Sequence, residues 1–508
     1  VNCSALDKTG IAMTKTASQE LYHEIFGSVL DRTEMTPYLL LPATDFSHAL
    51  KQVTKMMRNR GFDTIGESKL VASEKHRALR YVIQAYRYFF DWMFPFAKQQ
   101  FAGLASLKSP NAGLYRSCLK AISHIEEVLS TPEFRDLVLE DPRHLFLLAS
   151  SRKYPHVFYG YKGKNLEIPL PWQQAACSLL KVAHLIKSIE EDSQDINDYA
   201  QLGLFLTSEG MSLNDLYQHD WEHPIHLPKS ESAQRAYVKL STFFHKLKES
   251  MLFDERKECL VFNSGDGIEI DIVEIKARLK SPESMFTKLG KDVEGEAWDI
   301  RDILAITFLL KSKDDTLKMF HALQKRGVIL QENTASHSIT QTLFDSPEDM
   351  LEATRRLMES LALSEGKNAE PDKKELLANA CGFFDALNVN AESNLHSSIG
   401  HRKLQCKIAF SLPIHRAADT NKMMIPGTQL YEKRDHIPKI TRQHTLGIEL
   451  RISDEESWNA SELKGESHHD AYKFRQIVSV MNRVFKGVFS LPKDHFPQLR
   501  KDQGILFS

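Results

Sequence analysis

Cysteine is scarce in this 508-residue chain. There are six, Cys3, Cys118, Cys177, Cys259, Cys381 and Cys406, with no CxxC spacing among them. That argues against a zinc ribbon or a disulfide scaffold and fits a reducing compartment. An excess of one charge is also missing. Lys and Arg number 65 against 67 Asp and Glu, a formal net charge of −2. No chain-wide basic field therefore draws in nucleic acid or an anionic membrane, and only a local cleft can do so. Long apolar runs are lacking too. The most apolar window, YVIQAYRYFFDWMFPFA at 81–97, is interrupted by Arg87, Asp91 and Pro95, which is too broken for a transmembrane span. No cationic-then-apolar leader follows Val1, and no internal repeat is apparent. The expectation is a cytoplasmic protein with no membrane partner.

What is present fits two or three domains, because a chain this long outgrows one core. Up to about residue 230 the periodicity is helical. Examples are SQELYHEIFGSVL (18–30), DFSHALKQVTKMMRNRG (45–61), YRSCLKAISHIEEVL (115–129) and WQQAACSLLKVAHLIKSI (172–189). Only HVFYGY (156–161) alternates at all as a strand would. The aromatic stretch at 80–101 reads as a buried helix rather than a surface for stacking bases. YQHDWEHPIHLPKS (217–230) places His219 and His223 at i,i+4, but Pro224 breaks the helix before His226. It reads as a linker rather than a zinc site.

From 231 the character changes. IEIDI (268–272) has period two, and ILAITFLL (303–310) is a continuous apolar run of the kind found in a central strand. In RKLQCKIAFSL (402–412), Leu404, Cys406, Ile408, Phe410 and Leu412 take one face, and Lys403, Gln405 and Lys407 the other. LGIELRI (446–452) sets Ile448, Leu450 and Ile452 opposite Glu449 and Arg451. Helical segments fall between and after these strands, with an insertion of two helices at about 345–388. The fold class is α+β: a helical domain over 1–230, of unknown role, and a mixed-sheet domain over 231–500.

The chemistry gathers at RLKSPESMFTKLG (278–290). Ser281 is a natural N-cap, with Pro282 at the first helical position and Glu283 in the first turn. The strand entering this helix delivers Arg278 and Lys280 beside its N-terminus, and Ser284 and Lys288 lie i,i+4 on one face of it. Cations and a hydroxyl converging on a helix N-terminus suit phosphate. The same pattern also occurs as a solvated basic helix start.

R-x-K-S-x-x-S-x-x-x-K after a strand resembles the ATP-phosphate motif of the RelA/SpoT-type nucleotidyltransferases, the (p)ppGpp synthetases of the stringent response. The family's next element, D-L-x-A-x-R-I, is similar to DILAITFLL, with Asp302 in the Asp position and Thr307 in that of the Arg. Its strand E-x-Q-I-R is similar to IELRIS, with Glu449 in the Glu position. HHDAYK offers His469, Tyr472 and Lys473 for the family's H-x-x-Y-K helix. The resemblance covers about residues 235–500.

It implies a nucleotidyltransferase-like domain that transfers pyrophosphate from ATP to a ribose 3′-hydroxyl. Arg278, Lys280, Ser284 and Lys288 would hold the ATP phosphates, and Asp302 and Glu449 would bind Mg²⁺. Glu449 would also orient or deprotonate the attacking hydroxyl. The acceptor loop departs from the family's N-G-Y-x-S-x-H: NLHSSIG keeps Asn394 and Ser398 but sets His396 where a tyrosine stacks on guanine. His396 with Lys403, Gln405 and Lys407 would form the acceptor side. The acceptor stays open between a guanine or adenine nucleotide and an RNA 3′ end, as in the toxin members that modify tRNA. The His219-Asp220 pair comes too late in the chain for the family's N-terminal hydrolase, so none is expected. The rival reading is a non-catalytic nucleotide- or RNA-binding regulator, favoured by Thr307 and the lost tyrosine and opposed by the retained Asp302 and Glu449.

Overall fold

The computed structural model describes residues 45–59, 72–151, 154–192, 194–211, 213, 228–291, 302–344, 346–365, 402–417, 423–424, 439–462, 465 and 468–508. Over these residues the chain is a mixed α+β protein that groups into two compact units. Among them no helix is long and apolar enough to cross a membrane.

The first unit is helical. It takes the described residues up to Ile189, then the short segment beginning at Glu283, then Lys473–Leu506. Its centre is the aromatic stretch, which runs as helix Ala72–Arg87, a π-helical stretch Tyr88–Met93 and helix Phe94–Ser106. Pro95 explains the irregularity. A proline inside a helix has no N–H to donate and crowds the carbonyl one turn back. Here the Phe94 N–H reaches Phe89 O, five residues back, and the wider turn absorbs the misfit. Tyr88, Phe89, Met93, Phe94 and Phe101 are buried, so the stretch is core, as its pattern implies. Phe474, from near the chain's end, meets the Phe101 ring edge-on at 4.8 Å between centroids. Asp502 accepts hydrogen bonds from Tyr115 at 2.6 Å and Ser109 at 2.8 Å. HVFYGY is not a strand: Pro155–Phe158 forms a 3-10 turn, and Gly160 and Gly163 take positive φ in the tight turns after it. Two such glycines within four residues cannot sustain an extended ladder.

The second unit is the sheet. Its strands are β1 (Met251–Asp254), β2 (Cys259–Asn263), β3 (Glu269–Leu279), β4 (Leu304–Leu310), β5 (Thr334–Gln341), β6 (Leu404–Ala417), β7 (Met423–Met424) and β8 (Lys439–Asp454). The order is β1-β2-β3-β4-β8-β6-β5, with β7 pairing β6. β4 and β8 run parallel and the other neighbours antiparallel. Every residue of β4 is buried, as its unbroken apolar run implies.

Residues directly opposite across strands share a face. One face therefore carries Leu304, Ile306 and Phe308 with Leu450, Ile452, Leu404 and Cys406. Helices Glu231–Lys248 and Lys313–Lys325 cover it, with Phe243 against Phe410 at 5.1 Å. The other face is polar, and it carries the candidate site.

The two-unit grouping differs from the boundary drawn at 230. Helix Gln194–Ser208 groups with the sheet because Asp198 grips Arg235 at 2.6 and 2.8 Å, and Asp195 holds Lys239 at 2.6 Å, both on helix Glu231–Lys248. Residues from Lys473 onward group with the helical unit through Phe474, Ile477 and Met481, which are fully buried in its core. The first helix of the expected insertion is present as Pro347–Glu365, and Ser346 accepts from the Asp349 N–H at 3.1 Å as its cap. The second helix of the insertion, the segment 18–30 and the cluster His219, Asp220, His223 and His226 lie outside the described residues.

Candidate functional site

Strand register assembles the polar face row by row. Arg278 of β3 stands opposite Ala305 of β4, Ala305 opposite Glu449 of β8, and Glu449 opposite Lys407 of β6. One row along, Lys276 stands opposite Thr307, Thr307 opposite Arg451, and Arg451 opposite Gln405. Side chains two residues apart on a strand share a face, which adds Lys403 and places Lys280 just past the end of β3. The Lys280 N–H bonds Ile303 O at 2.8 Å and carries the pairing one step beyond the strand. Asp302 precedes β4 at that same end.

Both carboxylates are buried, Asp302 at 7 % exposure and Glu449 at 4 %, and the charge of Asp302 is felt at Glu449. Lys280 Nζ lies 2.5 Å from Asp302 Oδ2. Arg451 Nε donates to Glu449 Oε1 at 2.6 Å, and Gln405 Nε2 donates to Glu449 Oε2 at 3.1 Å. Burial pushes the Glu449 pKa up. Arg451 first, then Lys403 and Lys280, outweigh burial and the like charge of Asp302, and bring it down to about 2. Glu449 is therefore a carboxylate at any ordinary pH with a hydrogen bond on each oxygen. That makes it a ligand or an anchor and a poor proton acceptor.

Arg278, Lys403, Lys407 and Arg451 thus share the sheet face that carries Glu449, and Lys280 pairs with Asp302 at its end. The alternation read from the sequence holds: Leu404, Cys406, Ile408 and Phe410 are buried while Lys403, Gln405 and Lys407 keep partial exposure. Helix Pro282–Lys291 starts where expected, with Glu283 in its first turn. Arg278 and Lys280 belong to the sheet unit, whereas Ser284 and Lys288 group with the helical unit. In that unit Thr287 Oγ1 and Tyr88 Oη are 3.1 Å apart, and Phe286 packs edge-on against the Tyr88 ring. Asn394, His396 and Ser398 lie outside the described residues.

Two features escaped the sequence reading. Arg451 was visible only as a residue on the polar side of its strand, and its grip on Glu449, two residues away on that strand, depends on rotamer. Trp458, on helix Glu455–Glu462, lies with its ring centroid 5.1 Å from Lys276 Nζ. A lone tryptophan four residues past a strand gives no periodic signal.

No group of three or more His, Cys, Asp or Glu able to hold a metal occurs among the described residues. Two buried carboxylates do suit Mg²⁺, which takes hard oxygen donors and usually needs only one or two from protein when phosphates supply others. The donor set fits, provided the ammonium of Lys280 moves from Asp302 to a phosphate. Cys118, Cys177, Cys259 and Cys406 are free thiols. Burial raises the pKa of three of them, Cys118, Cys177 and Cys406, to about 12, so none of those three is a nucleophile. Compared with known proteins, the chain matches no protein-family model, no curated protein and no solved structure.

Proposed function

We propose that the chain is an ATP-dependent pyrophosphotransferase of the RelA/SpoT type, with a nucleotidyltransferase-like sheet domain. The observation that carries this reading is a pair of buried carboxylates on neighbouring segments, Asp302 just before β4 held by Lys280 and Glu449 on β8 held by Arg451, with Lys403 also acting on Glu449. Phosphoryl-type transfer asks for that combination: carboxylates to hold a cation, and cations to clamp the phosphates.

In this reading the acceptor's 3′-hydroxyl oxygen attacks the β-phosphorus of ATP. A new P–O bond forms, the bond from the β-phosphorus to the bridging oxygen breaks, and AMP leaves. Mg²⁺, when bound, neutralises charge developing on the phosphate oxygens. Arg278 and Lys280 anchor the triphosphate. Asp302 and Glu449 would hold the metal ion. Arg451 and Gln405 keep Glu449 ionised and oriented, so the hydroxyl proton passes to solvent or phosphate oxygen rather than to Glu449. Lys403, Gln405 and Lys407 form the acceptor side, which favours an acceptor rich in phosphate: a nucleotide di- or triphosphate, or an RNA 3′ end such as that of tRNA.

One observation favours the rival, a nucleotide- or RNA-binding regulator without turnover. Both carboxylates already carry cationic partners, which leaves a positive face that binds anions without a metal. A panel assay separates the two. ATP and Mg²⁺ are incubated with guanine nucleotides, adenine nucleotides and bulk tRNA, and products are analysed by mass. An acceptor that gains pyrophosphate, and that fails when its 3′-hydroxyl is removed, supports the transferase. ATP binding with no modified acceptor across the panel supports the regulator.

A further inference from the structure

The phosphate-facing line of β3 continues away from the carboxylates to an aromatic ring. Lys276, Arg278 and Lys280 are spaced i, i+2, i+4, so their side chains leave the same face at steps of about 7 Å. At the far end Trp458 meets Lys276 Nζ at 5.1 Å from the ring centroid. The helix that carries the indole is anchored to the sheet. Asp454, the last residue of β8, accepts from the Ser457 N–H at 2.9 Å and so fixes the start of the Trp458 helix, which packs against β4 and β8. The ring itself is half-buried. Lys276 is the looser partner: its side chain is 42 % exposed and shared with Glu274 Oε2 at 3.2 Å.

A surface cation over an indole contributes only about 0.5–1 kcal/mol, so an arriving ring can displace the ammonium. The row order gives the arrangement direction. The row of Lys276, Thr307 and Arg451 lies beside the row of Arg278 and Glu449, and Lys280 with Asp302 follows. An aromatic surface at Lys276, then Arg278 in the row of Glu449, then Lys280 at Asp302, follows the order base, phosphates, reacting centre of a nucleoside triphosphate.

We infer that Trp458, with Lys276, is the base-binding subsite of the donor nucleotide: the purine of ATP stacks on the indole while Arg278 and Lys280 take its phosphates. The inference rests on the donor-site reading above and names the part of the site that discriminates ATP from a bare polyphosphate. Thr307 is a short side chain in the same row and leaves the aromatic surface to Trp458.

Titration calorimetry of the full chain with two probes, ATP and inorganic tripolyphosphate, tests it without needing turnover. Stacking of one base is worth about 1–3 kcal/mol, or about 5- to 150-fold in affinity. The wild-type chain should bind ATP more tightly than tripolyphosphate by a factor in that range. Trp458→Ala should remove most of that advantage and leave tripolyphosphate binding within about twofold, which also reports that the site is still folded. Trp458→Phe should retain most of it. Lys280→Ala should weaken both probes. If Trp458→Ala leaves ATP binding unchanged, or weakens both probes alike, the subsite is overturned. Equal wild-type affinity for both probes sinks the base subsite alone and spares the phosphate reading. Binding of neither sinks the donor reading and the subsite with it.

Discussion

At the scale of single residues the site is an electrostatic compromise. Glu449 is buried on a sheet face, where an isolated carboxylate would be protonated, and Arg451 and Lys403 reverse that. The consequence for stability has a definite sign. Its pKa lies below its unfolded value of 4.5. Its contribution is therefore complete above about pH 4.5 and is lost as pH falls from there toward about 2. At neutral pH that contribution is on the order of 3 kcal/mol, because each tenfold gain in acidity on folding corresponds to about 1.4 kcal/mol. Thermal unfolding of wild type and Glu449→Gln should differ most at pH 7 and converge toward about pH 2. A gap that stays constant with pH would remove the ion pairs from the explanation. The sequence showed Glu449 and Arg451 together on the polar side of one strand, and placed Asp302 at a strand opening. It did not show that Lys280 and Arg451 already neutralise these acids, because that depends on side-chain rotamers and, for Lys280 and Asp302, on how β3 pairs with β4.

At the scale of elements, β4 ties the site together. It joins β3, which brings Arg278 and Lys280, to β8, which brings Glu449. Its continuous apolar pattern made it legible as a central strand, and Phe308 is wholly buried there. Phe308→Ala should destabilise the sheet unit by about 3–5 kcal/mol, the usual cost of emptying an aromatic core position. Leu252 lies on the edge strand β1 and is 70 % exposed. Leu252→Ser should stay within about 0.5 kcal/mol of wild type. Denaturant unfolding measures both, and comparable losses would mean that β1 is covered in solution. On β6, the alternation of Leu404, Cys406 and Ile408 with Lys403, Gln405 and Lys407 was legible because a period of two needs no partner. Lys403→Ala combined with Lys407→Ala should raise the acceptor's KM more than that of ATP, and added salt should raise it further. If ATP's KM rises instead, donor and acceptor sides are exchanged.

At the scale of the molecule, the sequence divided the chain at about 230 into a helical part and a sheet part, and the structure divides it by contacts instead. Residues from Glu283 and from Lys473 group with the helical unit, and residues from Glu190 group with the sheet. Periodicity tells which face of a helix is apolar and does not name what covers it. The apolar face of the helix beginning at His469 was evident, but its burial through Phe474, Ile477 and Met481 in a core built from residues before 190 was not. Trp458 was missed for a related reason, since its significance lies in facing Lys276 on a strand nearly two hundred residues earlier.

The central claim is that Asp302 and Glu449 serve a Mg²⁺-dependent transfer from ATP, and release of AMP tests it most directly. Purified wild-type chain, Asp302→Asn and Glu449→Gln would be compared for AMP formation from ATP, with and without Mg²⁺, in the presence of the acceptor panel. Circular dichroism would verify that each is folded. The account predicts AMP from the wild type only with Mg²⁺, and a loss of about a hundredfold or more in each variant. AMP formed equally by Asp302→Asn, or by the wild type without any divalent cation, would contradict it.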